Sequence, residues 1–224
     1  MTWIKLHYRY VVYLTVAGSS VTLAGCQHGS DLSLVSVVPR EVASQELVDL
    51  EVLIPDIVLD IRYATENNFT GRQIYPEARC FLIEEAALAL LKVQADLRSQ
   101  GYRLKVFDGY RPLSVQKIFW EILPDPRYVA DPSVGSRHNR GYAIDLTLVD
   151  LQGNDVPMPT DYDDFSERSH RTFAGVSSDV ARNREILEKA MKKHGFIPFP
   201  TEWWHFDFEG YENKPNLDIP IAEL

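Results

Sequence analysis

Cysteine is scarce in this 224-residue chain, which holds only Cys26 and Cys80. Two thiols cannot form a disulfide framework or a cysteine-based zinc site. Clustered positive charge is missing as well. There are 23 Lys and Arg against 32 Asp and Glu, a net charge of −9 and a pI near 5.1. With no basic block to offset that balance, the chain repels phosphates, and no nucleic-acid partner is expected. Repeats, low-complexity tracts and a series of long apolar runs are also absent, which excludes collagen-like, disordered and multi-span membrane classes. What remains is 45% apolar and 25% charged, enough to bury a core in one domain or two small ones.

The first residues read as an address. Lys5 and Arg9 open the chain, and Tyr10 to Gly29 then carries no Asp, Glu, Lys or Arg. A basic start, a short apolar stretch and small residues describe a secretory signal. A membrane-spanning helix needs ~20 predominantly apolar residues, and Gly18, Ser19, Ser20 and Thr22 interrupt this stretch early. Its end, Leu23-Ala24-Gly25-Cys26, resembles the lipobox of bacterial lipoproteins, whose chains are cut before an acylated cysteine. The organisation expected is a lipoprotein signal over 1–25, a tether over 26–46 and a folded domain over 47–224. Cys26 would carry the lipid, with the protein exported and anchored to a membrane of the cell envelope.

In the folded part, Ile57 to Tyr63 alternates apolar and polar residues and predicts a strand. Glu84 to Gln100 predicts a helix, with Ala86, Leu90, Val93 and Leu97 on one stripe and Gly101 as its stop. Tyr102 to Phe107 predicts a strand, Leu113 to Leu123 a short helix ended by Pro124, and Tyr142 to Val149 a second clear strand. Asp179 to His194 predicts a helix capped by Ser178 or Asp179, and Trp203 to Phe208 a last strand. The fold class is therefore α+β: one domain with helices packed on a largely antiparallel sheet.

Two segments carry chemistry. Ser136-Arg137-His138-Asn139-Arg140-Gly141-Tyr142-Ala143-Ile144-Asp145 puts a histidine in a loop and a carboxylate seven residues later. That carboxylate lies on the strand face opposite Ile144, Leu146 and Leu148. Glu202-Trp203-Trp204-His205 adds a second histidine on a late strand. Two imidazoles and a carboxylate are a known open zinc set with a fourth position for water, and a nearby glutamate outside the set can take that water's proton. Residues three apart on an ideal strand face opposite sides, so Glu202 must precede the strand or sit at a bulge. Pro198 and Pro200 favour the first. A histidine on a strand is also commonly a hydrogen-bonded core residue, and spacing alone leaves both readings open.

Both segments resemble the signature of the D-alanyl-D-alanine dipeptidase family, the VanX-type zinc peptidases, whose motifs run Ser-x-His-x-x-Gly-x-Ala-x-Asp and Glu-x-x-His. Asp108-Gly109-Tyr110-Arg111-Pro112 is similar to the family's Asp-Gly-Tyr-Arg-Pro segment. Tyr63-Ala64-Thr65, Asn68-Phe69-Thr70-Gly71, Tyr162-Asp163 and Ser166-Glu167-Arg168-Ser169-His170 match further elements, with Asn67 where Asp is common. The resemblance implies a D,D-peptidase-like fold, related to hedgehog domains, and one zinc ion on His138, Asp145 and His205. It implies Glu202 as general base and acid, Arg111 as oxyanion stabiliser, and Ser136, Asp163 and Tyr63 as substrate contacts, Asp163 on the free ammonium. His138 follows Arg111 by 27 positions, a shorter span than in resistance-associated members, which implies a more open cleft rim. The expected substrate is a dipeptide from peptidoglycan metabolism, and the export signal favours wall-fragment salvage. The alternatives are a D,D-carboxypeptidase or endopeptidase on longer wall peptides, and a non-catalytic lipoprotein that binds zinc or peptidoglycan. No Gly-x-Ser-x-Gly elbow or Rossmann or P-loop glycine pattern occurs.

Overall fold

The computed structural model describes residues 46–224. The signal segment, Cys26 and the tether up to residue 45 lie outside the described residues. Among the described residues no helix is long and apolar enough to cross a membrane.

Among the described residues, seven strands form two sheets. The smaller pairs β1 (Leu47–Asp49) with β3 (Phe81–Ile83), antiparallel. The larger contains β2 (Val58–Leu59), β4 (Tyr102–Asp108), β5 (Ala143–Asp150), β6 (Phe196–Pro198) and β7 (His205–Phe208), in the order β2-β4-β5-β7-β6. Only β2 with β4 is parallel, so the sheet is largely antiparallel as expected. The helices are α1 (Leu50–Leu53), α2 (Glu84–Arg98), α3 (Leu113–Ile122) and α4 (Ser178–Lys193).

The sheet's two faces divide the work. Along β5, Ile144, Leu146 and Leu148 are fully buried, and α2 and α4 pack against this sheet with Leu90, Val93, Leu97, Leu187 and Met191 buried. The alternate residues of β5 include Asp145, on the opposite face. Gly141 turns the chain into β5 at φ +72°, and a Cβ there would sit 3.1 Å from the Ile83 nitrogen and 3.0 Å from Leu47 Cδ2.

Most elements shift by a residue or two from their expected limits, and three departures have a visible cause. The strand expected over Ile57 to Tyr63 pairs only at Val58–Leu59 and then enters a 3₁₀ turn, Arg62–Ala64. Asp60 accepts from Arg62 Nε at 3.0 Å, and the Tyr63 ring is drawn in against Phe119 and Tyr75, with centroids at 4.5 and 5.8 Å. The cap of α4 is Ser177, whose hydroxyl accepts from the Val180 N–H at 3.3 Å, rather than Ser178 or Asp179. The last strand starts at His205, because the Trp203 N–H is committed to the Ser169 carbonyl at 3.0 Å. Glu202 accordingly precedes the strand, as the upstream prolines imply.

Candidate active site

The site is a row of side chains across three strands. In the β5–β7 ladder Asp145 is paired directly with His205, while Ile144 is paired with Phe206 on the helix-covered face. On the other side of β5, the register with β4 shifts between Val106 and Asp108, so that Asp108 also lies opposite Asp145. A regular ladder would have brought Phe107 there; the irregularity moves a carboxylate into the row. His138 reaches the same point from the single 3₁₀ turn His138–Arg140 that precedes β5.

His138 Nε2 lies 3.2 Å from His205 Nδ1, His205 Nδ1 lies 2.9 Å from Asp145 Oδ1, and His138 Nε2 lies 3.5 Å from Asp145 Oδ2. The outer nitrogens define the tautomers. His138 Nδ1 donates to the Gly109 carbonyl at 2.7 Å, and His205 Nε2 donates to Asp207 Oδ1 at 2.9 Å. With those protons outside, the two neutral rings would aim their lone pairs, and Asp145 its carboxylate, at one point. Such a cluster is repulsive unless a positive charge sits within it.

The electrostatics express that demand. Burial works against charge on His205, yet the hydrogen bonds with Asp145 and Asp207 win and push its pKa up to about 10. Burial likewise opposes ionisation of Asp145, but His138 and His205 hold its carboxyl well below the usual carboxylate range. A tetrahedral zinc with bonds of ~2.0–2.1 Å would place its ligand atoms about 3.3 Å apart, close to the spacings observed. The donor set therefore fits that ion.

Around this centre is a cleft of about 120 Å³ whose lining includes Tyr63, Arg111, Ser136, Asp163, Glu202 and Trp204. Every expected site residue that falls among the described residues lies in it. Glu202 Oε2 is 3.8 Å from His205 Nδ1, and burial pushes its carboxyl up to about 7. Among the described residues Asp163 is the non-glycine residue with positive φ, +61°. Backbone in that region is retained where surroundings over-determine it, often at functional sites. Its carboxylate accepts from the Tyr63 hydroxyl at 3.3 Å and the Phe69 N–H at 3.4 Å, and among the described residues it has no ion-pair partner. Burial, with Asp145 nearby, pushes it up to about 8. Ser136 Oγ accepts from the His138 N–H at 3.3 Å.

Four supporting residues were given no role by the sequence reading, although Asp108 and Tyr162 fall within its motifs. Asp108 Oδ2 accepts from Arg111 Nε at 3.0 Å and Nη2 at 2.7 Å, while its Oδ1 accepts from the Tyr75 hydroxyl at 2.9 Å. Gln116 Oε1 accepts from Arg111 Nη1 at 2.9 Å, and Gln116 Nε2 donates to the Ala130 carbonyl on the cleft rim at 2.8 Å. The Tyr162 hydroxyl donates to Asp145 Oδ2 at 2.9 Å. Asp207 orients His205 as described. Asp207 was readable as the i+2 neighbour of His205 on one strand face, whereas nothing local marks Gln116. His170, which the motif region contains, does not line the cleft. His194 caps α4 and bonds Asp96 Oδ2 at 2.7 Å instead.

The Arg111–Asp108 pair is almost fully buried. Removing one partner of such a pair strands the other charge, at a cost of about 3–5 kcal/mol. Asp108→Ala is therefore expected to lower stability by that amount, read from the denaturant midpoint with an unchanged m-value.

Comparison with known proteins places the chain in a family. The family model described as D-ala-D-ala dipeptidase, peptidase M15, matches residues 43–220. A D-alanyl-D-alanine dipeptidase of Escherichia coli K12 is 42% identical over 172 residues, 77% of this chain and 89% of that one. One from Enterococcus faecium is 34% identical over 195 residues, covering 77% and 96%. Among solved structures, the vancomycin-resistance D,D-dipeptidase VanXYg in complex with a D-Ala-D-Ala phosphinate analogue aligns over 75% of this chain and 68% of that one. The identity there is 18% and the TM-score 0.39. The family match takes in every residue of the cleft, and the two dipeptidases are matched over most of their own length: the chain belongs to the D-Ala-D-Ala dipeptidase family of M15 peptidases.

Proposed function

We propose that this protein hydrolyses D-alanyl-D-alanine and related D,D-dipeptides, with one zinc ion held by His138, Asp145 and His205. The observation that carries the reading is the convergence of two imidazole lone pairs and a carboxylate whose outer protons are already committed. Zinc bound there would supply a Lewis acid for the peptide carbonyl and lower the pKa of water. The relatives' names supply the substrate class.

The remaining steps belong to the chain's own side chains. Glu202 stands beside the ligands but outside their set, and with a pKa near 7 it can take a proton from the attacking water and return it to the leaving amine. Arg111 is gripped by Asp108 and Gln116, yet Nη1 and Nη2 each retain an N–H beyond those bonds. Those donors stabilise the negative oxygen that develops in the tetrahedral transition state. Asp163, buried without a cationic partner, receives the substrate's free ammonium, which favours a dipeptide over the interior of a longer wall peptide. Ser136 and Tyr63 line the same space and complete the substrate contacts. By the lipobox-like Leu23-Ala24-Gly25-Cys26, we also propose lipid anchoring of the exported protein on Cys26.

Three experiments test these assignments. A strong chelator should abolish hydrolysis and zinc should restore it. Asp145→Ala should lose the metal, whereas Glu202→Gln should keep about one zinc per chain and lose about 10²–10⁴-fold in kcat. A Glu202→Gln enzyme that turns over at the wild-type rate removes Glu202 as the base. Next, N-acetylation of D-Ala-D-Ala and the Asp163→Ala substitution should each depress kcat/KM severely. Equal rates on free and N-blocked substrates would replace the dipeptidase reading with a carboxypeptidase or endopeptidase. Finally, mass spectrometry of the protein from its native membranes should find acyl chains on Cys26, and an unprocessed, unacylated terminus contradicts the anchor.

A further inference from the structure

Glu202 is not placed by the sheet. The ladder between β5 and β7 fixes Asp145 and His205, whereas Glu202 precedes β7 and takes no part in the pairing. It lies in the connection over 199–205, which leaves β6 after Pro198. Loops are more mobile than the strands they join. A base must nevertheless stay within hydrogen-bond reach of the proton it takes. Something outside the ladder has to hold this connection still.

Arg171 does so from both ends. Its Nε donates to the Phe199 carbonyl at 2.7 Å and its Nη2 to the His205 carbonyl at 2.8 Å. One guanidinium therefore spans the whole connection. The Arg171 backbone N–H adds a bond to the Pro200 carbonyl at 3.0 Å, and the Phe199 N–H reaches the same His205 carbonyl at 3.1 Å. Next to Glu202, Trp203 is pinned through its backbone N–H to the Ser169 carbonyl and through its indole N–H to Thr160 Oγ1, at 3.0 and 2.9 Å.

The clamp is itself anchored. Arg171 Nη1 donates to Glu188 Oε2 on α4 at 3.3 Å, and its guanidinium carbon lies 4.3 Å from the centroid of the buried Phe206 ring. The side chain is 9% exposed and does not line the cleft. A planar fork can bridge two carbonyls and a carboxylate at once, which a lysine ammonium at the end of a flexible stem does not reproduce. A group outside the cleft can influence the reaction only through what it holds.

We propose that Arg171 is a positioning residue for the general base: by closing 199–205 at both ends, it sets where the Glu202 carboxylate stands beside His205. The inference rests on the dipeptidase reading, in which Glu202 takes the proton of the attacking water.

The test is a double-mutant cycle on the zinc-loaded full chain, with kcat and KM for D-Ala-D-Ala and zinc content measured for each protein. The proteins are the wild type, Arg171→Gln, Arg171→Lys, Glu202→Gln, and each Arg171 variant combined with Glu202→Gln. Arg171→Gln should lower kcat about ten- to a hundredfold, the scale of a ~1 Å misplacement. KM and zinc content should stay at their wild-type values. Arg171→Lys, which keeps a cation near Glu188 without the fork, should recover part of the rate. In the Glu202→Gln background, Arg171→Gln should change the residual kcat by less than about twofold, because the group it positions is gone.

The same loss in both backgrounds overturns the proposal, since Arg171 would then support the fold at large. Loss of zinc from Arg171→Gln also overturns it, because the residue would then act through the His205 backbone on the ligand. A wild-type kcat in folded Arg171→Gln does the same. If Arg171→Gln does not fold, Arg171→Lys runs the same cycle, and either a wild-type kcat or equal losses in the two backgrounds overturns the proposal. These outcomes leave the dipeptidase reading standing. A wild type inactive on the dipeptide, or a fully active Glu202→Gln, removes that reading of the base and the clamp's role with it.

Discussion

The pairing of Asp145 with His205 across β5 and β7 is the constraint on which the site depends. Side-chain direction alternates along a strand, so a register slip of one residue would send one of the two through to the helix-covered face. What prevents the slip is not in the cleft. Ile144 and Leu146 on β5 and Phe206 on β7 are fully buried on the far side of the same sheet. Burying a side chain of this size contributes about 1.5–3 kcal/mol, and a slip would expose several at once. The apolar face thereby holds the polar one in register. This explains how two nitrogens and a carboxylate that repel one another can be kept within 3.5 Å.

A second layer keeps those groups in one protonation pattern. The Gly109 carbonyl and Asp207 hold the outer nitrogens of the two histidines, and Tyr162 holds one oxygen of Asp145. Outer partners of this kind orient ligands and raise their basicity. Gly109 has a further constraint, since a Cβ there would meet Cys80 Sγ at 2.5 Å and the Phe81 carbonyl oxygen at 2.8 Å. The backbone can bring its carbonyl to His138 only because that position lacks a side chain. Cys80, the buried thiol, is thus part of the packing beneath the site, and burial keeps its pKa well above the ordinary value.

How much of this was legible in the sequence follows from the range of each interaction. The helix stripe Ala86, Leu90, Val93 and Leu97 and the alternation along β5 are local patterns, and both elements form where expected. The side chains that line the cleft could be named in advance because they sit in short segments that resemble a family signature, whereas their spacing alone left the metal reading open. The truncated strand at Val58–Leu59 was not legible, since its end is set by the packing of Tyr63 against residues far along the chain. The irregularity before Asp108 is equally non-local. Residue 108 could be read as part of a motif, but its place opposite Asp145 depends on a register shift that no single segment encodes. Gln116 is the extreme case: it joins Arg111 to the rim at Ala130, and an isolated glutamine on a short helix carries no sign of either contact.

The same non-local contacts give the cleft its order of charge. Asp163 is strained into positive φ at the β2 side, and the centre gathers His138, Asp145 and His205. Arg111 enters from the end of β4, its fork turned by Asp108 so that the charge is neutralised on one side and presented on the other. An arginine held in this way loses little freedom when a negative oxygen appears beside it. If Arg111 acts as proposed, stabilisation that is already oriented would cost no reorganisation at the moment of reaction, which is the condition for it to act on the transition state more than on the bound substrate. The buried Arg111–Asp108 pair is therefore better understood as a device for direction than as a source of stability, because two well-packed apolar residues could fill the same volume without the desolvation cost.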